Sequence, residues 1–393
     1  MSASCEHLQS IINEDWLHYR VCPQLTSIVS HAAAFKVMSH HSLHLANSPI
    51  PGYHSDSAYE IQPEEHESIL RVAAYHRRDF DCAVISFRIN AHINVLTPTL
   101  PDSTSTATLG RLDELPLELL HKICLDLDVA SVFRFRQTNT RARQILDALH
   151  EHRIITKHAI DPFCALLRTG LAAKVSLSDF YRLLCTQECS LCHGSHGDLV
   201  HLPLWIRCCS TCLTQNQYPM RMVALSAAKR ILRLPKHSLA QLPSLKTLPG
   251  TYTYPDRDRS RRYTLVPVVS ILSAYREEHP GFEAPGTKIA QFNTDSILAY
   301  MACCAMPSFD VQTGQVQNGV SCAGCQLLLE KGDIGTHMIW ASDVRNTIYS
   351  HAAFLEHFTR CAWAQRLWRD SHGGRRDSPE FPYLCQQGRL FKS

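Results

Sequence analysis

Between Gly110 and about His150 the apolar positions repeat at helical rather than strand spacing. Leu119, Leu120, Ile123, Cys124 and Leu127 fall at i, i+3/i+4 and i+7/i+8, the spacing of one apolar helix face. Pro116 suits the first turn of that helix, where its missing N–H costs nothing. Asp128 can cap a second short helix whose apolar side is Val129, Val132, Phe133 and Phe135. Thr138 or Asn139 can cap a third, running through Arg141, Arg143, Ile145 and Leu146. Three helices within so few residues have too little interior to bury every apolar face. The remainder either packs on the rest of the chain or forms a partner surface.

Elsewhere the pattern is less regular. A helix-like stretch covers Glu64–Arg78, and a second helix is expected over Leu177–Cys185, after Ser176. Residues 213–250 read as mostly helical, ending in turn chemistry at Leu248–Thr251. Thr251–Tyr254 and Tyr263–Val269 are rich in β-formers and flank the charged segment 255–262, which predicts a β-hairpin closed by that segment. A last helix is expected from about Ser350 to Trp368. Thr97–Thr108 is rich in Ser, Thr and Pro and cannot bury enough apolar surface to offset its ordering entropy. The expected organisation is therefore an N-terminal segment 1–96 of no assignable role and partly disordered, a linker 97–109, the helical module 110–150 and a body 151–393. Removal of residues 1–108 is expected to leave the rest intact. No repeat of 20–50 residues is present, so neither a propeller nor a solenoid is supported.

Composition changes this picture mainly through cysteine. The chain has 393 residues, enough for two or three domains, and a net charge of +3 is too small to argue for nucleic acid. Its N-terminus carries the acids Glu6, Glu14 and Asp15 where a secretion signal needs a basic start. No stretch approaches the roughly 18 apolar residues of a membrane helix. An intracellular, reducing location is expected, where the 17 cysteines read as metal ligands rather than disulfides when their spacing allows.

Two groups have such spacing. Cys189 and Cys192 form one C-x2-C, and Cys209 and Cys212 form a second. Each pair can fold as a knuckle that points both thiolates at one ion, and Gly194 permits the turn behind the first. Four thiolates make a closed structural zinc site with no open position. Cys208 could replace Cys209, and His193 or His196 could replace a thiolate. The second group is Cys322 and Cys325 with His357 and Cys361, the last two placed i, i+4 on one face of the expected final helix. His337 and His351 are rival ligands inside the gap. Cys303, Cys304 and Cys385 have no partner at ligand spacing and read as core or free thiols. The stretch 213–262 holds ten Lys/Arg against two acids. It reads first as a solvated face, and second as a patch for an acidic target or nucleic acid.

Leu112-Asp-Glu-Leu-Pro-Leu-Glu-Leu-Leu-His-Lys-Ile123 resembles the opening of the F-box, with Leu112, Leu115, Pro116, Glu118, Leu119, Leu120 and Ile123 in register. Asp128 to Asn139 with Arg141 and Arg143 resembles its second and third helices, where Val132 stands for the usual Leu and Thr140 for the usual Arg. The resemblance implies docking to a Skp-type adaptor, and through it to a cullin, by Leu112, Leu115, Pro116, Leu119, Leu120, Ile123, Leu127 and Val132. The C-terminal two-thirds is similar to a large group of fungal F-box proteins, carried by Arg207–Leu213, Leu242–Tyr252, Gly319–Cys325 and His357–Gln365. In that group the Cys and His/Cys positions resemble metal ligands, which implies two structural Zn2+ sites.

The resulting expectation is a mainly α fold with small β elements: a three-helix F-box module followed by an irregular, zinc-stabilised α+β body. Its function would be that of a substrate receptor in a Skp–cullin–F-box (SCF) E3 ubiquitin ligase, in the cytoplasm or nucleus, with an unidentified protein substrate and no membrane partner. No Gly-rich phosphate loop, G-x-S-x-G elbow or H-E-x-x-H is present, which argues against an enzyme. The alternative is a zinc-supported nucleic-acid-binding regulator. Neither cysteine group has the spacing of a groove-reading C2H2 finger.

Overall fold

Helices Leu117–Asp126, Val129–Arg136 and Thr140–Ala148 follow one another closely, and each start is set locally. Pro116 takes the position just before the first helix rather than inside its first turn. Asp128 accepts a hydrogen bond from the Ser131 amide at 2.9 Å, and Asn139 accepts one from the Ala142 amide at 2.8 Å. These are observations on a computed structural model, which describes residues 48–87 and 108–390 except 195, 216–217, 254–256, 283, 285, 293–294 and 389. Most of the expected linker, 97–107, and residues 1–47 lie outside the described residues.

The three-helix module shares its core with the body. Leu120, Cys124, Val132 and Leu146 pack in one cluster with Phe163, Leu166, Phe180 and Leu184. The last four lie on helices Ile160–Thr169 and Leu177–Leu184. Backbone bonds Leu177 N–H to Leu127 O and Val129 N–H to Val175 O, both 2.9 Å, tie the two together. Behind them a three-stranded antiparallel sheet places Leu199–His201 between Ile206–Cys208 and Cys303–Ala305.

A second sheet corrects the expected hairpin. Gly250–Tyr252 does turn back in a hairpin, but its partner is Arg257–Arg259, inside the charged segment. Thr264–Pro267 instead becomes the centre of a sheet with Met222–Ala224 and Leu245–Lys246. Val268 and Val269 begin the helix Val268–Glu278. Strand propensity thus found only parts of these strands: Arg257–Arg259 lies in the expected turn, and Met222–Ala224 and Leu245–Lys246 lie in the stretch 213–250 expected to be mostly helical, because tertiary pairing decided where the chain runs extended.

The C-terminal half forms its own core from helices Ala323–Lys331, Met338–Asn346, His351–Phe358 and Ala362–Asp370. Residues 48–75 are built into it, contrary to the expectation that everything before residue 109 stands apart. Ile50, Tyr53, Ile69, Val72 and Ala73 are buried against Leu327, Phe358 and Leu367. Helix His66–Ala73 ends before the expected Arg78, because Ala74–Tyr75 turns extended and pairs antiparallel with Ser321–Cys322. The final helix is likewise divided. Ser55 N–H bonds to Arg360 O, and Ala362 N–H bonds to Tyr53 O, both at 3.0 Å. These bonds use backbone groups that a continuous helix would need, so the chain breaks between Phe358 and Ala362. Among the described residues no helix is long and apolar enough to cross a membrane.

Candidate docking ridge and metal centres

On helix Leu117–Asp126 the apolar residues split between two faces. Leu120 and Cys124 face the core, only 4% and 3% exposed, whereas Leu119 and Ile123 are 48% and 46% exposed. Neighbouring helical positions differ by about 100°, so each i, i+4 pair keeps its own face. The expected single face is therefore two. Leu112, ahead of the helix, and Leu117, its first residue, are also exposed, at 46% and 42%, with exposed Pro116 between them in the chain. Leu120 and Val132 are buried, and Leu115 and Leu127 are half-buried against the core. Of the eight residues expected to meet a partner, Leu112, Pro116, Leu119 and Ile123 are thus outward. Leu117 is an addition to that set, although its place just before Glu118 and Leu119 could have flagged it.

Cys189, Cys192, Cys209 and Cys212 bring four sulfurs within 4.8 Å of one another. Cys189 Sγ stands 3.8 Å from Cys212 Sγ, and Cys192 Sγ stands 3.9 Å from Cys209 Sγ. A tetrahedral zinc–thiolate set with bonds of about 2.3 Å has edges of about 3.8 Å, so the donor set fits that ion. The Cys209 amide donates to Cys189 Sγ at 3.3 Å and the Cys212 amide to Cys209 Sγ at 3.4 Å. Hydrogen bonding with Cys189 and Cys192 pushes the thiols of Cys209 and Cys212 well above the ordinary range. Four sulfurs this close ionise together only around a cation.

The strand decides between Cys208 and Cys209. Cys208 is the last residue of strand Ile206–Cys208 and packs towards Cys303, whereas Cys209 lies beyond the strand end and faces the other sulfurs. His193 is instead exposed and pairs with Glu188 at 3.4 Å. The structural role of Arg207 escaped the sequence reading. Fully buried, it donates to the carbonyls of Leu183, Gly197 and Met306, pinning the knuckle strand to helix Leu177–Leu184 and to the chain before residue 308.

Cys322, Cys325, His357 and Cys361 form the second group within 4.8 Å. Cys322 Sγ and Cys361 Sγ are 3.9 Å apart, Cys325 Sγ and Cys361 Sγ 4.0 Å, and Cys325 Sγ and His357 Nε2 3.5 Å. The shorter sulfur–nitrogen edge is what a zinc–nitrogen bond of about 2.0 Å requires. Cys361 reaches the group from just ahead of helix Ala362–Asp370 rather than from the same helix as His357. Tyr349 Oη lies 3.4 Å from His357 Nδ1, and Tyr53 Oη lies 3.5 Å from Cys325 Sγ. Sequence spacing had no means to find either tyrosine. His337 and His351 are outside the group. Both clusters can hold a metal ion, and in each the protein supplies all four donors, the pattern of a structural site.

No curated protein and no solved structure matches this chain. Residues 112–153 match the family model of the F-box domain, spanning the three helices and the outward residues Leu119 and Ile123, so the chain carries an F-box domain.

Proposed function

We propose that this chain is the substrate-receptor subunit of an SCF-type E3 ubiquitin ligase, without catalytic chemistry of its own. The F-box docks the Skp-type adaptor, which links to a cullin. The body, held by two structural zinc ions, presents a protein target. The observation that carries this reading is the F-box match over 112–153 together with four large apolar side chains left outward on that segment. An apolar ridge of this kind gains most by being covered by a partner. Metal catalysis is not part of the proposal, because donors that saturate an ion leave no position for water or substrate.

Leu119→Asp with Ile123→Asp should abolish co-purification with adaptor and cullin and leave the melting temperature near that of the wild type. A charge forced into a desolvated ridge loses about 2 kcal/mol of binding or more. Leu120→Asp should instead unfold the module, since that side chain is in the core. Retention of adaptor at wild-type levels by the folded double variant would refute the proposal.

A further inference from the structure

The basic stretch 213–262 contributes to a core separate from both the F-box and the metal centres. Val223, Ala228, Leu232, Val266, Ile271 and Phe292 pack together there. On its surface Arg230, Ile231, Arg233, Lys288 and Gln291 line a pocket of about 570 Å³. Three of these five residues are cations. No described carboxylate pairs with Arg230, Arg233 or Lys288. Glu278, on a helix of the same core, is already held by Ser238 and by His237 at 2.8 Å.

Arg233 carries a second observation. It stands in left-handed backbone, φ 54°, just after helix Leu225–Leu232. Glycine is the usual residue at that position, because a Cβ is disfavoured there. A long cation is held instead, beside Arg230, and the two repel each other. A compact polyanion removes that repulsion.

We propose that this pocket binds a doubly charged phosphate group. Arg230 and Arg233 donate charge-assisted hydrogen bonds to its oxygens, Lys288 adds a point charge, and the Gln291 amide adds a neutral donor. Ile231 supplies an apolar wall for the carbon skeleton that bears the phosphate. The three cations line one concavity of five residues, which favours a single compact group over a nucleic-acid strand, where phosphates repeat along a groove. Two sources share this chemistry: a phosphorylated protein side chain and a small phosphate metabolite. None of the pocket residues belongs to the F-box.

The test is calorimetric titration of the full chain with a short phosphoserine peptide, its unphosphorylated form, inorganic phosphate and a single-stranded oligonucleotide. Saturable binding of the phosphopeptide and of phosphate, but not of the unphosphorylated peptide, is expected. Arg230→Gln with Arg233→Gly should weaken it at least about tenfold. Arg233→Gly alone relieves the backbone, so it should keep or raise the melting temperature while still weakening phosphate binding. Adaptor co-purification should be unchanged, which separates this site from the docking reading. A phosphopeptide that binds more tightly than phosphate assigns the pocket to a modified protein, and equal affinities assign it to a free phosphate compound. Unchanged affinity in the variants, or indifference to the phosphate, overturns the proposal. So does oligonucleotide binding that strengthens with length.

Discussion

Tyr349 and His357 stack with ring centroids 4.8 Å apart and an interplanar angle of 22°, with the phenol oxygen 3.4 Å from Nδ1. The imidazole is thereby fixed on two sides. With a metal on Nε2, Nδ1 would carry the proton and could donate a hydrogen bond to Tyr349 Oη, holding the tautomer that a metal needs.

Tyr349→Phe keeps the stack and removes the hydrogen bond. The second centre should then lose metal to a competing chelator about tenfold more readily, while the first is unaffected. Competition that is identical in variant and wild type would show that the stack alone orients the ring.

His357→Ala should lower the bound metal from two ions to one by elemental analysis. Trp368 is buried on helix Ala362–Asp370, which begins directly after the candidate ligand Cys361. Its emission should shift to the red as that helix loosens. Strong chelators should unfold the body as a whole, because structural zinc contributes on the order of 10 kcal/mol in small fingers. Two ions retained by the variant would sink the second centre.

Deleting residues 1–87 should give insoluble protein or protein lacking the second ion, since Tyr53 touches Cys325 and Ala74 pairs with Cys322. A subtler probe is Ile69→Ala, a fully buried site, which should cost about 2–5 kcal/mol in a denaturant titration. A soluble truncation with two ions would return this segment to the status of an independent extension.

Acid should destabilise the fold through two buried histidines. Burial lowers the His152 pKa to about 4, with Arg136 adding to the effect, and burial lowers that of His201 to about 3. Neither ring nitrogen of His201 has a hydrogen-bond partner. Both histidines are neutral when folded, and the unfolded chain takes up protons near pH 6.5. Stability from these groups is therefore full above about pH 6.5 and is lost as pH falls towards 4 and then 3. Melting temperatures from pH 7.5 to 4.5 should fall, and less steeply in His152→Phe. A slope identical in that variant would exclude His152 as the source.

Much of the candidate chemistry was legible because it is local. A C-x2-C knuckle is set within four residues, so Cys189 with Cys192 and Cys322 with Cys325 could be paired by spacing alone. The caps at Asp128 and Asn139 act on amides three residues on. The F-box register is likewise a property of one short segment.

What failed was non-local. Leu119 and Leu120 could not be assigned to opposite faces until the body behind Leu120 existed. Thr264–Pro267 could not name its partners, because a strand's edge is satisfied by whichever chain packing delivers.

By itself, then, the sequence determined the capped helices, the knuckles and the F-box pattern, each decided by contacts within a turn or two of the chain. Only the tertiary structure decided that residues 48–75 pack against the second Cys/His cluster, that Tyr349 stacks on His357 and that Cys209 rather than Cys208 faces the sulfurs. The pocket bounded by Arg230, Arg233 and Lys288 belongs to the same class. Most of those relationships join residues tens to hundreds of positions apart, and all follow from how apolar faces pack, which no short window of sequence encodes.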